Sequence, residues 1–136
     1  MNSYEQDKIL GYQNIEILYY LFPLIEKTVV DYLKLEPEAN IEIFEQGTYR
    51  TLNSIVQDPK NRELLGHKVA EKILKYYDTN GLRNKFLHYS EDCPNNIEKS
   101  ILDEINELYI ETSNMLKSSM NRIEGISNKK IEHIKL

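Results

Sequence analysis

The stretch IEILYYLFPLIEKTVVDYL at residues 15–33 decides the fold. Its apolar residues recur at spacings of three and four, the period that places side chains on one face of an α-helix. Pro23 lies inside the pattern, and a proline lacks a backbone donor and bends a helix or starts a new one. The stretch therefore predicts a long helix, or a kinked pair of helices, over residues 4–34. The apolar positions are Ile15, Leu18, Leu21, Phe22, Ile25, Val29, Tyr32 and Leu33.

A second long helix is predicted near the other end of the chain. Asn95 and Glu98, three residues apart, resemble a capping box at its start. Gly125 fits a C-terminal stop, so residues 127–136 are expected to form a short helix or a docked tail. The face of this helix follows alternating steps of four and three through Ile97, Ile101, Ile105, Leu108, Thr112 and Met115.

Shorter helices are predicted between the two long ones. Asp58 and Pro59 make a good helix start, with Asp as N-cap and Pro at the first position. Gly66 interrupts that helix, which then resumes at residue 67 or 68. A tight turn at residues 79–81 leads into a further helical stretch at residues 82–89.

The segment at residues 39–47 is compatible with either a strand or a helix. With that segment left open, the pattern predicts an all-α, up-and-down bundle of four or five helices with long first and last helices. The 136 residues suffice for one domain, which we expect to span residues 1–136.

Composition points to a cytoplasmic protein. The single cysteine, Cys93, excludes an intrachain disulfide and suits a reducing compartment. The start of the chain has no basic stretch followed by an apolar one, so no signal peptide is expected. The longest apolar run, residues 17–25, is about half the length of a membrane span, and no contact with a membrane is expected.

The charge is unevenly distributed along an acidic chain. The net charge of −5 argues against a general nucleic-acid binder. Residues 58–90, however, hold 7 basic and 4 acidic side chains. They could bind one phosphate backbone at a defined place, or they could form a solvated helix face. The basic residues ahead of residue 80 are Lys60, Arg62, Lys68, Lys72 and Lys75.

Arg83 and His88 form the main chemical motif of the sequence. A guanidinium clamps phosphate, and an imidazole moves a proton near neutral pH, so the pair could cleave a phosphodiester without a metal. The two residues lie roughly 140° apart around a helix, whereas Asn84 and His88 share a face. A twofold axis that joins two copies would bring two such pairs to one phosphate. The motif therefore predicts a homodimer.

The string Leu82-Arg83-Asn84-Lys85-Phe86-Leu87-His88 resembles the Arg-polar-x-x-x-His signature of HEPN domains. These are small all-helical proteins, many of them ribonucleases of toxin–antitoxin, phage-defence and RNA-processing systems. Here, as in that family, the motif follows a turn after a mid-chain helix and precedes a long helix. The resemblance implies metal-independent and cofactor-independent cleavage of RNA, in which the ribose 2′-hydroxyl attacks the adjacent phosphate and leaves a 2′,3′-cyclic phosphate.

The resemblance also implies a role for each residue of the motif. His88 is the general acid or base, Arg83 holds the phosphate, and Asn84 orients the histidine or the substrate. Lys85 adds phosphate affinity, and Tyr89 is a second candidate for substrate binding. In family members that a partner nucleotidyltransferase silences, a tyrosine lies two places after the histidine; Ser90 takes that place here, which disfavours transfer of AMP to Tyr89. An antitoxin or regulatory protein is an expected partner.

Other interpretations remain open. A HEPN-like module without catalysis would serve dimerisation and the binding of a partner protein. Arg83 would then cap a helix or pair with a glutamate, and His88 would make a hydrogen bond at a helix end. A small-ligand site ranks last because no glycine-rich phosphate loop is present. No metal site is expected, because the candidate ligands are scattered along the chain: His67, His88, Cys93 and His133.

Overall fold

The computed structural model describes residues 2–40, 52–87, 94 and 96–134. These residues form two long and four short helices and no strand, so the predicted all-α fold with long first and last helices is confirmed. Most of the segment left open, residues 41–47, lies outside the described residues. The helices are α1 (Ser3–Leu35), α2 (Leu52–Gln57), α3 (Pro59–Leu65), α4 (His67–Tyr77), α5 (Leu82–Leu87) and α6 (Lys99–Ile134).

The first and last helices, α1 and α6, run parallel and form the main seam of the core. Near one end of the seam, the Asn14 side chain donates a hydrogen bond of 2.9 Å to the Ile97 carbonyl. Near the other, Ser119 Oγ and Arg122 Nη2 donate to Glu36 Oε1 at 2.7 and 3.0 Å. The side chains between these contacts are fully buried: Leu18, Ile25, Val29, Ile105 and Leu108.

The middle helix α4 runs antiparallel to both long helices. Its Tyr77 hydroxyl donates to the Phe22 carbonyl at 2.7 Å, whereas the Tyr32 hydroxyl of α1 donates to the Leu64 carbonyl, just ahead of α4, at 3.1 Å. The end of α4 therefore contacts the middle of α1, and the start of α4 lies near the end of α1. This antiparallel contact gives the core its up-and-down order of α1, α4 and α6. No helix in the described part of the chain is long and apolar enough to cross a bilayer.

Pro23 does not divide the first helix. The helix continues from Ser3 to Leu35, so of the two alternatives the single long helix is correct. Pro23 is exposed, so the backbone hydrogen bond that it cannot make is lost on the outer side of the helix and not in the core. The helix ends at Leu35, ahead of Pro37, because the residue before a proline avoids the α region.

The predicted helix starts and breaks around residues 58–67 are confirmed. The Asp58 side chain accepts hydrogen bonds from the backbone N–H of Lys60 and Asn61 at 3.0 and 3.2 Å, and Pro59 occupies the first turn. Gly66 adopts φ +86°, which ends α3, and α4 begins at the next residue.

Two predictions about the last helix are wrong. The helix begins at Lys99, so Ile97 is not part of it; Ile97 is buried in the segment that precedes the helix. Gly125 does not end it, because the helix continues to Ile134 with no positive φ at this glycine. A glycine permits a left-handed stop but does not impose one. Residues 127–134 thus continue α6 rather than starting a separate element, and Asn95 of the predicted capping box lies outside the described residues.

Candidate functional site

The short helix α5 carries the candidate motif and is positioned by a glycine turn. The Gly81 N–H donates to the Asp78 carbonyl at 2.8 Å. A Cβ at position 81 would lie 2.6 Å from the Tyr76 carbonyl oxygen, closer than real Cβ atoms approach a backbone atom. Glycine is therefore required here by the close passage of α4 and α5, and this passage determines where α5 begins.

Aromatic packing holds α5 against the first helix. Phe86 is 2 % exposed, and its ring lies 5.6 Å from that of Tyr19 and 6.1 Å from that of Phe22. Phe22 in turn meets Tyr77 edge to face at 5.5 Å, and burial raises the pKa of Tyr77 above its ordinary value. We call Tyr19, Phe22, Tyr77 and Phe86 the aromatic cluster; it anchors α5 and the residues beside Phe86.

Arg83 forms an ion pair with Glu26 of α1. Its Nη2 lies 2.7 Å from Glu26 Oε1, and the two side chains are only 12 % and 25 % exposed. Burial raises the pKa of Glu26, and the nearby Arg83 guanidinium offsets this only in part. The structure thus has the ion pair between Arg83 and a glutamate that the interpretation without catalysis predicts. The pair also holds the guanidinium in one place at the α1–α5 junction.

Asn84 links Arg83 to the glycine turn. Its Oδ1 accepts a hydrogen bond of 3.0 Å from Arg83 Nη1, and its Nδ2 donates to the Thr79 carbonyl at 3.3 Å. The amide is therefore oriented by its neighbours.

His88 and Tyr89 lie outside the described residues. The structure therefore brings Arg83 and Asn84 together and does not describe the imidazole of His88 or the ring of Tyr89. Lys85 is half-buried on the same helix.

A narrow crevice opens beside the ion pair. Its volume of about 50 Å³ has room for a water molecule or two but not for a nucleotide. Any larger ligand would bind at its mouth, where the Tyr19 side chain is 42 % exposed. The described residues that line it are Tyr19, Phe22, Pro23, Glu26, Arg83 and Phe86.

The basic residues of α4 are matched by acidic residues of the last helix. Lys72 Nζ lies 3.3 Å and Lys68 Nζ 3.8 Å from Glu111 Oε1, and Lys75 Nζ lies 3.3 Å from Glu104 Oε1. Ahead of α4, Arg62 pairs with Glu71. Of the two interpretations of this basic segment, the structure favours an ion-paired helix face over a surface for a phosphate backbone.

Glu104 has an environment unlike that of Glu26. Burial opposes its ionisation, but the nearby Tyr76 hydroxyl and the Lys75 and Lys72 ammonium groups outweigh this effect and lower its pKa. No group of three or more His, Cys, Asp or Glu side chains in the described residues is arranged to hold a metal ion.

Sequence reasoning missed Glu26 as a member of the site. The sequence indicated that Arg83 could pair with a glutamate, but not which one. A signal was present, because Glu26 lies four residues after Phe22 and seven after Tyr19, on the same face of α1 as two aromatic residues. An acidic residue at such a half-buried position predicts a basic partner.

Comparison with known proteins gave no match. No protein-family model, no curated protein and no solved structure matches this chain. The candidate site is therefore defined by the residues of α5 and by their contacts with α1.

Proposed function

We propose that this chain is a HEPN-type endoribonuclease that cleaves RNA, without a metal, at a composite site formed by two copies. The observation that carries the proposal is the Arg83-Asn84-x-x-x-His88 motif, which starts on a short helix held in place by Gly81 and the aromatic cluster. The resemblance suggests a cytoplasmic role in toxin–antitoxin or phage defence, with an antitoxin or regulatory protein as partner.

The geometry around Arg83 supports binding of a phosphate at one defined place. Glu26 and Asn84 orient the guanidinium before any ligand arrives, and such pre-organisation favours stabilisation of charge that develops in a transition state. The half-exposed Tyr19 ring at the mouth of the crevice offers a surface on which a base can stack. Because the α4 lysines are ion-paired, binding would depend on this junction rather than on a broad basic surface.

The reaction follows from the proposed roles. The 2′-hydroxyl oxygen attacks the adjacent phosphorus and loses its proton to the imidazole of His88 from one copy. The bond to the 5′ oxygen breaks, and that oxygen takes a proton from the imidazolium of the other copy. Arg83 balances the negative charge on the phosphoryl oxygens. The products are a 2′,3′-cyclic phosphate end and a 5′-hydroxyl end.

Cleavage of single-stranded RNA in EDTA by the purified protein tests the proposal. We expect product ends with a 2′,3′-cyclic phosphate and a loss of rate of about 10²–10⁴-fold in His88→Ala. Arg83→Lys should also fail, since it keeps the charge but loses the planar fork. Lys75→Ala is the matched control, because it removes a paired cation outside α5, and it should keep near-normal cleavage. A folded dimer that cleaves no RNA between about pH 5 and 9 would refute the proposal.

The second candidate is a non-catalytic helical module for dimerisation and the binding of a partner protein. One observation favours it: Arg83 is only 12 % exposed and pairs with Glu26, as expected of a residue with a structural role. The charge-exchange variant Glu26→Arg with Arg83→Glu separates the two candidates, because it can keep an ion pair while it removes the guanidinium from α5. A module would retain its biological effect in this variant, whereas a nuclease would lose it.

A further inference from the structure

The outer face of α1 carries exposed residues that the core does not use. Glu16, Tyr20, Pro23 and Lys27 recur at steps of four, three and four along one face of the helix. All four are exposed, and Tyr20 is 74 % exposed. Ile17 and Leu24 lie along one edge of this face and are 44 % and 42 % exposed. An apolar patch with charged ends on an otherwise well-packed helix is typical of an interaction surface.

We propose that this face is the interface with a second copy of the chain, in which the two α1 helices pack antiparallel about a twofold axis. The charge pattern selects the occupant and its direction. Glu16 lies at one end of the face and Lys27 at the other, 11 residues later and about 20° around the helix. Only an antiparallel arrangement sets Glu16 of each copy opposite Lys27 of the other, while Tyr20 meets Pro23 of the other copy. The face is therefore complementary to itself.

Neighbouring groups are compatible with this register. Lys27 Nζ already lies 2.7 Å from Asp31 Oδ2, but the lysine side chain is 73 % exposed and can reach a second carboxylate. Beside Pro23 and Lys27 a shallow groove of about 340 Å³ separates α1 from α2. The Tyr20 side chain of the second copy can enter this groove, which would bury part of a ring that is 74 % exposed in the single chain.

The interface deepens the proposed function, because the composite site rests on two copies. Glu26 and its partner Arg83 lie about a quarter of a turn around α1 from the centre of this face. A twofold axis perpendicular to both α1 helices places the Glu26–Arg83 pairs of the two copies on the same side of the dimer. The axis passes at the level of residues 21–22, between Tyr19 and Glu26 of the crevice. Both crevices then open into one groove.

Sedimentation equilibrium or light scattering without RNA tests the interface independently of nuclease activity. The wild-type chain should form a dimer. Glu16→Lys and Lys27→Glu should each raise the dissociation constant of this dimer about tenfold or more, since each variant places like charges opposite each other twice. The variant that carries both reversals should recover the dimer. Tyr20→Glu should also dissociate it, whereas Ile110→Glu, at a position of α6 that is 48 % exposed, is the matched control that should not.

Either of two results would overturn the interface: a wild-type monomer at every concentration, or a dimer that survives the single reversals and Tyr20→Glu. Failure of the double reversal to restore the dimer would overturn the antiparallel register. A dimer that responds as expected but cleaves no RNA would leave the interface standing and would refute the nuclease alone.

Discussion

The basic face of α4 and the Arg83 junction at α5 both pair a cation with an acid, but in different surroundings. Two of the α4 lysines that meet Glu104 and Glu111 lie near the surface, since Lys75 and Lys68 are 60 % and 77 % exposed, whereas Lys72 is only 16 % exposed. Arg83 meets Glu26 beside a cluster of aromatic rings, and both side chains are mostly buried. A block of basic residues in a sequence thus says little about a phosphate site, because neighbouring acids can neutralise it. Glu26 neutralises Arg83 in the same way, so the junction is the more specific candidate only because Glu26 and Asn84 hold its guanidinium in one orientation.

The largest effect should come from removal of the anchor of α5. Phe86→Ala removes a ring that is 2 % exposed and packs on Tyr19 and Phe22, so the free energy of unfolding should fall by about 3–5 kcal/mol. Chemical denaturation monitored by circular dichroism measures this loss. Ile110→Ala, at a position 48 % exposed, is the control and should cost less than about 0.5 kcal/mol. Equal effects of the two changes would contradict the anchoring role.

A smaller effect is expected at the glycine turn that presents α5. Gly81→Ala places a Cβ 2.6 Å from the Tyr76 carbonyl oxygen, so the turn must shift at a cost of about 1–3 kcal/mol. Thermal and chemical denaturation report the cost, and the proposed RNA cleavage should fall with the displacement of Arg83.

Gly125→Ala provides the matched glycine control for that variant. No atom lies within 4 Å of a Cβ at this position, and the residue is helical. Alanine should therefore stabilise the protein, by up to about 1 kcal/mol. Destabilisation by Gly125→Ala would instead indicate that the helix stops there.

The smallest expected effect is a difference between Glu26 and Glu104 in how each affects the pH dependence of stability. The pKa of Glu26 lies above its ordinary value of 4.5, so its charged form costs stability at neutral pH. This cost disappears as the pH falls through the raised pKa towards 4.5. The pKa of Glu104 lies below the same ordinary value; its contribution to stability is present above pH 4.5 and is lost as the pH falls through the lowered pKa.

Glu26→Gln and Glu104→Gln should therefore change the pH dependence of unfolding in opposite directions. As the pH falls from neutral, the wild type should gain stability relative to Glu26→Gln and later lose it relative to Glu104→Gln. Each change should stay below about 1 kcal/mol, because both carboxylates are partly solvated. Urea denaturation at several pH values measures them. A parallel response of the two variants would contradict the contrast between the two sites.

Local signals predicted the elements whose cause is local. Asp58 and Pro59 start a helix because a carboxylate accepts backbone N–H groups within three residues, and Gly66 ends one because only glycine readily adopts its φ of +86°. Gly125 shows the limit of such signals. A glycine allows a helix to stop, but whether it does depends on the chain around it.

The contacts of the candidate site could not be predicted in the same way. The Arg83–Glu26 pair joins residues far apart in the chain, and so do the pairs of Lys72 and Lys75 with acidic residues of α6. Which acid a cation meets depends on the rotation and register of packed helices. Those quantities are determined by the fit of many side chains at once.

By itself the sequence determined that this protein is helical, that its first and last helices are long, and that Arg83, Asn84 and His88 are close along the chain, because hydrogen bonding and apolar periodicity act over a few residues. Only the tertiary structure decided that α1 and α6 run parallel, that the α4 lysines are ion-paired, and that Glu26 is the partner of Arg83. Such choices depend on which helix faces remove the most apolar surface from water together, and no short segment contains that information.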